Sequence, residues 1–141
     1  MLKYLAYVSR QSYILSEDAI AGLLQKCRTN NSQKGITGML IYFDGTFVQF
    51  LEGPEENVNQ LFENISGDKR HQDVILLLEG TTEKREFADW SMAYKKVTTS
   101  EVSQIEGLKN FKKEDLFKGK NPNTKHPGLV MIKAFVSGLH L

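Results

Sequence analysis

Two adjacent residues, Asp44-Gly45, do most to limit the folds open to this chain. They separate two runs rich in β-branched, aliphatic and aromatic residues, Ile36 to Phe43 and Thr46 to Glu52. An Asp-Gly pair between such runs is a two-residue hairpin signal, because both turn positions require positive φ. The two strands must therefore pair antiparallel. A helix-like segment stands on each side of this hairpin. Upstream, Ser16 suits an N-cap, Glu17 and Asp18 suit the positive first turn, and Ile20, Leu23, Leu24 and Cys27 form one apolar stripe. That helix is expected to run to about Thr29 and to end at Asn30-Asn31-Ser32 and Gly35. Downstream, Gly53-Pro54 breaks the strand, Pro54 suits the first helical position, and Val58, Leu61, Phe62 and Ile65 supply a buried face up to Ser66-Gly67-Asp68.

Three further strands complete the pattern: Leu2 to Ser9, Val74 to Leu78, and one near Ser91 to Val97. The order β-α-β-β-α-β-β places the chain in the α+β class. It is a ferredoxin-like β-α-β-β-α-β unit with an added fifth strand. In that arrangement the first and third strands are neighbours. After Val97 the composition shifts, so residues 1–97 are read as one domain and 98–141 as a short C-terminal helical extension. Val102, Ile105 and Leu108 have helical spacing, as do Leu129, Ile132, Phe135 and Val136. The second stretch is assigned to packing on the open sheet face, with a dimer contact as the alternative.

A chain of 141 residues with net charge +1 suits a single core and gives no electrostatic reason to expect nucleic acid or an acidic membrane as partner. The lone Cys27 excludes an internal disulfide and a cysteine-rich metal site, and its spacing assigns it to the core. His71, His126 and His140 lack metal-ligand spacing. No signal peptide and no run of transmembrane length is legible, which leads to a cytoplasmic expectation.

The polar residues within apolar strands carry the functional signal. Gln49 stands in the middle of Phe47-Val-Gln-Phe-Leu51, where a buried carboxamide needs partners for two donors and an acceptor. Tyr7 in the first strand and Asn30-Asn31 at the end of the first helix pose the same requirement. Singly, each has a plain structural reading: a core tyrosine, a helix cap, a packed anchor at Trp90, core filler at Met92. Together, three polar groups wanting a common partner suggest a bound polar ligand. No nucleophile with its base and no phosphate-binding glycine loop is present, and Gly35-Ile-Thr-Gly38 is too short for a dinucleotide fingerprint.

Leu5-Ala-Tyr-Val-Ser9, Asn30-Asn31, Gly35-Ile-Thr-Gly38-Met-Leu40, Phe47-Val-Gln-Phe-Leu-Glu-Gly53, Asp68-Lys-Arg-His71 and Trp90-Ser-Met92 occur in this order. Over residues 2–97 the chain thereby resembles the BLUF family, blue-light sensors that use FAD. The resemblance implies a flavin ring between the two helices, above the central strands. It implies that Tyr7 is the photoactive electron and proton donor and Gln49 the switching glutamine. It further implies that Asn31 bonds the ring's polar edge, that Arg70 and His71 lie near the opposite side, and that Leu23 and Ile65 sandwich the ring. Trp90 and Met92 then couple the signal, and which of them lies inside is left open.

The resulting expectation is a photoreceptor, not an enzyme. About forty residues after the sensor region are too few for an ordinary effector domain. The signal would leave through an unidentified protein partner or a change in homo-oligomer state. The rival is a ferredoxin-like flavin or small-molecule binding protein, or an enzyme, that does not sense light.

Overall fold

The structure is a computed structural model that describes residues 2–11, 16–68, 71–85, 87, 92–98, 100–101, 104, 130 and 132. Its elements are β1 (Leu2–Gln11), α1 (Glu17–Gln33), β2 (Thr37–Phe43), β3 (Thr46–Pro54), α2 (Glu55–Gly67), β4 (His71–Thr82) and β5 (Ala93–Val97). They build one five-stranded sheet in the order β4-β1-β3-β2-β5. The first four strands pair antiparallel, and β5 adds to the β2 edge in parallel. This is the expected ferredoxin-like α+β arrangement with its fifth strand.

The hairpin forms where Asp44-Gly45 requires it, with φ of 46° and 77° at the two turn residues. It hands β3 back alongside β2 and brings β3 to the sheet centre, where Thr46 to Gly53 are all buried. Alternation then decides which side chain sees which layer. Phe47 and Leu51 face the cluster that includes Ile20 and Leu24 of α1 and Val58 of α2. Val48 and Phe50 face a second cluster with Ala6, Val8, Met39 and Ile41. Ile132, fully buried, belongs to this second cluster, with Val130 packed against it. At these two positions the C-terminal stretch does cover the sheet face away from the helices.

Several boundaries differ from the sequence reading. Helix α1 does not end at Asn30-Asn31-Ser32 but continues to Gln33, with Lys34 as its C-cap. The residue that stops it is Gly35, which takes φ of 69°, a left-handed conformation that suits glycine. Pro54 ends β3 and stands in the N-cap position of α2, one residue earlier than the expected first helical position. Strand β4 is longer than Val74 to Leu78, because Asp73 at φ of 50° lets the chain kink while pairing with β1 continues. Strand β5 begins at Ala93 and not at Ser91. Gly38 fits its strand for a steric reason: a Cβ there would collide with the Phe50 carbonyl of β3.

Candidate functional site

Tyr7 and Gln49 are directly opposite residues in the β1–β3 ladder. Both point to the helix-covered face, where they are 1% and 5% exposed. The Tyr7 hydroxyl donates a hydrogen bond to Gln49 Oε1. The other end of the amide is also engaged: Nε2 donates to Met92 Sδ at 3.3 Å. Sulfur is a weak acceptor, so this second bond is the softer one. The ring of Phe62 on α2 packs against Tyr7 with centroids 5.6 Å apart.

Burial pushes the Tyr7 phenol well above the usual tyrosine range, and Cys27 adds to the effect. The group is therefore neutral at any ordinary pH. It is a hydrogen-bond donor in the resting protein, and it can lose its proton only to an acceptor already in contact. Gln49 Oε1 is that acceptor. Tyr94 on β5 is also shifted upward, by partial burial first and then by Tyr42 and Glu17.

The two helices and the central strands enclose a cavity of about 220 Å³. From the sheet it is lined by Tyr7, Leu40, Phe47 and Gln49. From α1 come Leu23, Lys26, Cys27, Asn30, Asn31 and Lys34; from the second helix and its end come Leu61, Asn64, Ile65 and Asp68. The expected apolar stripe of α1 thus divides. Ile20 and Leu24 enter the core, whereas Leu23 and Cys27 are only half-buried and line the cavity. Cys27 is accordingly not the core residue its spacing suggested. On α2 only Val58 is fully buried, and Leu61, Phe62 and Ile65 are half-buried.

Asn31 shows what the cavity lacks. It is 3% exposed and lines the cavity. Its backbone carbonyl already accepts from Lys34 N at 3.1 Å and Ile36 N at 2.8 Å, which secures the helix end without the side chain. Among the described residues the Asn31 carboxamide has no hydrogen-bond partner. The carboxamide borders the cavity, where an edge of donors and acceptors would give it partners. Apolar walls from Leu23 and Ile65, with polar groups at Asn31 and Gln49, fit a planar heteroaromatic ring bearing carbonyl and imide groups.

The structure thus gathers Tyr7, Leu23, Asn31, Gln49 and Ile65 around one cavity and sets Met92 behind Gln49. Met92 is 2% exposed, so the thioether is inside. Arg70 and Trp90 lie outside the described residues, as does the side chain of His71, whose backbone opens β4 opposite Gln11. The sequence reading missed Lys26 and Lys34. Their spacing from Leu23 and Asn31 on one helical face would have revealed them. It also missed the cavity role of Leu61, Asn64 and Asp68, for the same reason. Among the described residues no group of three metal-ligating side chains occurs, and no helix is long and apolar enough to cross a membrane.

The family described as sensors of blue-light using FAD matches residues 2–93. The chain is 33% identical over 92 residues to photoactivated adenylate cyclase subunit beta of Euglena longa, covering 64% of this chain and 11% of that protein. It therefore spans about a tenth of the length of that relative. Among solved structures, the dark state of BlrB, a BLUF protein, superposes with a TM-score of 0.70 at 29% identity, covering 95% of this chain and 97% of that one. The photo-activated state of BlsA gives a TM-score of 0.73 at 27% identity over the full length of both chains. With the family match running from the first residue of β1 through the start of β5, the chain belongs to the BLUF family of blue-light sensors.

Proposed function

We propose that this protein senses blue light through FAD held in the cavity between α1 and α2, with Tyr7 and Gln49 as its photoactive pair. The observation that carries the reading is the paired register of Tyr7 and Gln49, with the phenol donating into an amide that borders the same cavity as Asn31. Flavin, when bound, supplies blue absorption and an excited state that accepts an electron. Leu23 and Ile65 flank the ring, and Asn31 bonds its polar edge. FAD, not FMN, is the expected form.

With flavin bound, Tyr7 would give it an electron and pass its proton to Gln49 Oε1, the atom its hydroxyl already meets, and the amide would relay a proton from its nitrogen onward to the flavin. A glutamine amide carries a donor and an acceptor, so the arrival of a proton rewires it without moving the backbone. Rotation would turn Oε1 toward Met92 Sδ, setting acceptor against acceptor and expelling the thioether. Tautomerisation would keep an N–H on the sulfur. In both routes Met92 is the first group outside the pair to register the change, because it touches the amide. Trp90 joins it in coupling the site to β5.

A sensor with no catalytic site of its own passes its state to a protein partner or to an oligomer contact, without direct nucleic-acid or membrane binding. Residues 1–97 form the sensor and 98–141 the C-terminal extension in this reading, and the cytoplasm is its compartment. The test is the visible absorption of the purified protein before and after blue illumination. A bound flavin spectrum that moves slightly to the red and reverts in darkness is expected. Bound flavin without that reversible change would instead favour a flavin protein that does not sense light.

A further inference from the structure

Met92 is tied at two points, and the second tie comes from an unexpected residue. Arg28 Nε donates to the Met92 carbonyl at 3.0 Å. The two residues are 64 apart in sequence, so this bond joins α1 to the residue that immediately precedes β5. We propose that Arg28 is a positioning residue for the light switch: by fixing the Met92 backbone it holds the thioether on Gln49 in the resting state, and it sets how fast that state is regained after light. The inference rests on the photoreceptor reading.

The chemistry of the two ties differs. The Gln49 N–H to thioether bond is weak, while a guanidinium N–H to a backbone carbonyl is charge-assisted. The β2–β5 pairing begins at Ala93, so Met92 lies beyond the ladder. Rearrangement of the Gln49 amide can release the sulfur, but it leaves the carbonyl held. Movement of this end of β5 therefore requires the Arg28 bond to break, and the return to rest requires it to form again. Arg28 also lies on the helix that carries Asn31, Leu23 and Cys27 along the cavity. One rigid element thus grips the ring site and the start of β5.

The experiment compares flavin-loaded full-length wild type, Arg28→Met and Arg28→Gln. Methionine keeps a long unbranched side chain and removes the donor. Glutamine places an amide N–H the same number of bonds from the backbone as Arg Nε, so it restores the donor without the charge. Dark recovery of the red-shifted state is expected to slow about three- to tenfold in Arg28→Met and to return toward wild type in Arg28→Gln. Light-minus-dark infrared spectra of protein labelled with carbonyl-¹³C methionine supply a second readout. The labelled Met92 carbonyl is expected to shift on illumination in wild type and Arg28→Gln, and not in Arg28→Met.

Recovery unchanged in Arg28→Met, or equally altered in both variants, overturns the proposal. So does equal loss of melting temperature in both variants with unchanged kinetics, which marks a structural role only. If Arg28→Met does not fold, wild type and Arg28→Gln decide: a labelled carbonyl unmoved by light overturns the proposal. A wild type that binds flavin without any reversible shift overturns the photoreceptor reading itself, a result distinct from all of these.

Discussion

The two faces of the sheet treat their polar residues in opposite ways. On the face away from the helices, Glu52 is fully buried, and its carboxylate accepts from Phe87 N at 2.6 Å and from Thr37 Oγ1 at 3.0 Å. Arg85 in turn donates to Thr37 Oγ1 at 2.9 Å. Around this network the packing is aromatic and closed: Tyr4 stacks on Phe50 at 5.9 Å, and Phe50 meets Phe87 at 5.2 Å. On the helix face, Asn31 is also buried but borders the cavity with no hydrogen bond to its carboxamide among the described residues, and the inner residues of α2 beyond Val58 are half-covered. One face completes itself with protein atoms. The other is built around a component the chain does not encode. Lesions on the two faces should consequently fail in different ways.

The largest effect expected is Tyr7→Phe. It removes one oxygen and keeps the ring that packs on Phe62. The light-induced red shift should vanish while flavin remains bound, read by absorption difference before and after blue light. A preserved shift would remove Tyr7 from its assigned role. Gln49→Leu should likewise eliminate the normal red-shifted state, since the acceptor for the Tyr7 proton is gone.

Damage on the closed face should appear as lost stability, with the photochemistry spared. Glu52→Ala leaves the Phe87 N–H and the Thr37 hydroxyl without the carboxylate they share, and should cost about 3 kcal/mol in denaturant unfolding. Glu52→Gln keeps an acceptor oxygen and should cost about 1 kcal/mol. If Glu52→Ala instead abolished the red shift in protein that still folds and binds flavin, the separation of the two faces would be lost.

Asn31→Leu sharpens the same contrast because its sign depends on the ligand. Flavin affinity should fall about tenfold or more with the lost hydrogen bonds. The ligand-free protein should be no less stable than wild type, because leucine leaves no buried amide unsatisfied. Flavin present at about 100 times its dissociation constant adds about 2.7 kcal/mol to wild-type stability, and stripping it should remove that increment. Thermal melts with and without flavin give both quantities. A ligand-free variant clearly weaker than wild type would mean that protein atoms, not a ligand, satisfy Asn31.

Much of this division was legible in the chain, and the exceptions have physical causes. The Asp44-Gly45 turn, the apolar stripes and the Gln49 interruption carried the topology and the paired placement of Tyr7 and Gln49, since turn chemistry and period-two alternation are local properties. The helix end was misjudged because Asn31 is a good capping residue, while Gly35 and backbone bonds perform the capping. Cys27 was misassigned because apolar spacing marks a face without saying whether protein or ligand lies opposite. Glu52 presented the same signal as Gln49, a polar side chain in an apolar strand, but beside Thr37, directly opposite it across the hairpin, its other partner is Phe87, 35 residues further along the chain. Arg28 gave no signal at all: its contact with Met92 depends on how β5 joins the sheet.

The smallest effect concerns pH, and here the buried phenol of the open face predicts a flat response followed by a decline. Burial raises the Tyr7 pKa above the unfolded value near 10, so the folded chain holds this proton more tightly than the unfolded chain does. The corresponding stability is fully present below about pH 10 and is lost progressively as pH rises beyond it. Between about pH 6 and pH 9 the light-induced shift should show no titration from Tyr7, because the phenol stays protonated throughout. Above about pH 10 stability should fall more steeply with pH for wild type than for Tyr7→Phe, which has no proton to lose at this position. Urea midpoints measured across that range would show a constant offset between the two proteins up to about pH 10, from the lost hydrogen bond to Gln49, and a change in that offset only on the alkaline side. A difference between the two midpoints that already changed with pH near neutrality would mean that Tyr7 ionises within the fold and that the closed hydrogen bond to Gln49 is not its resting state.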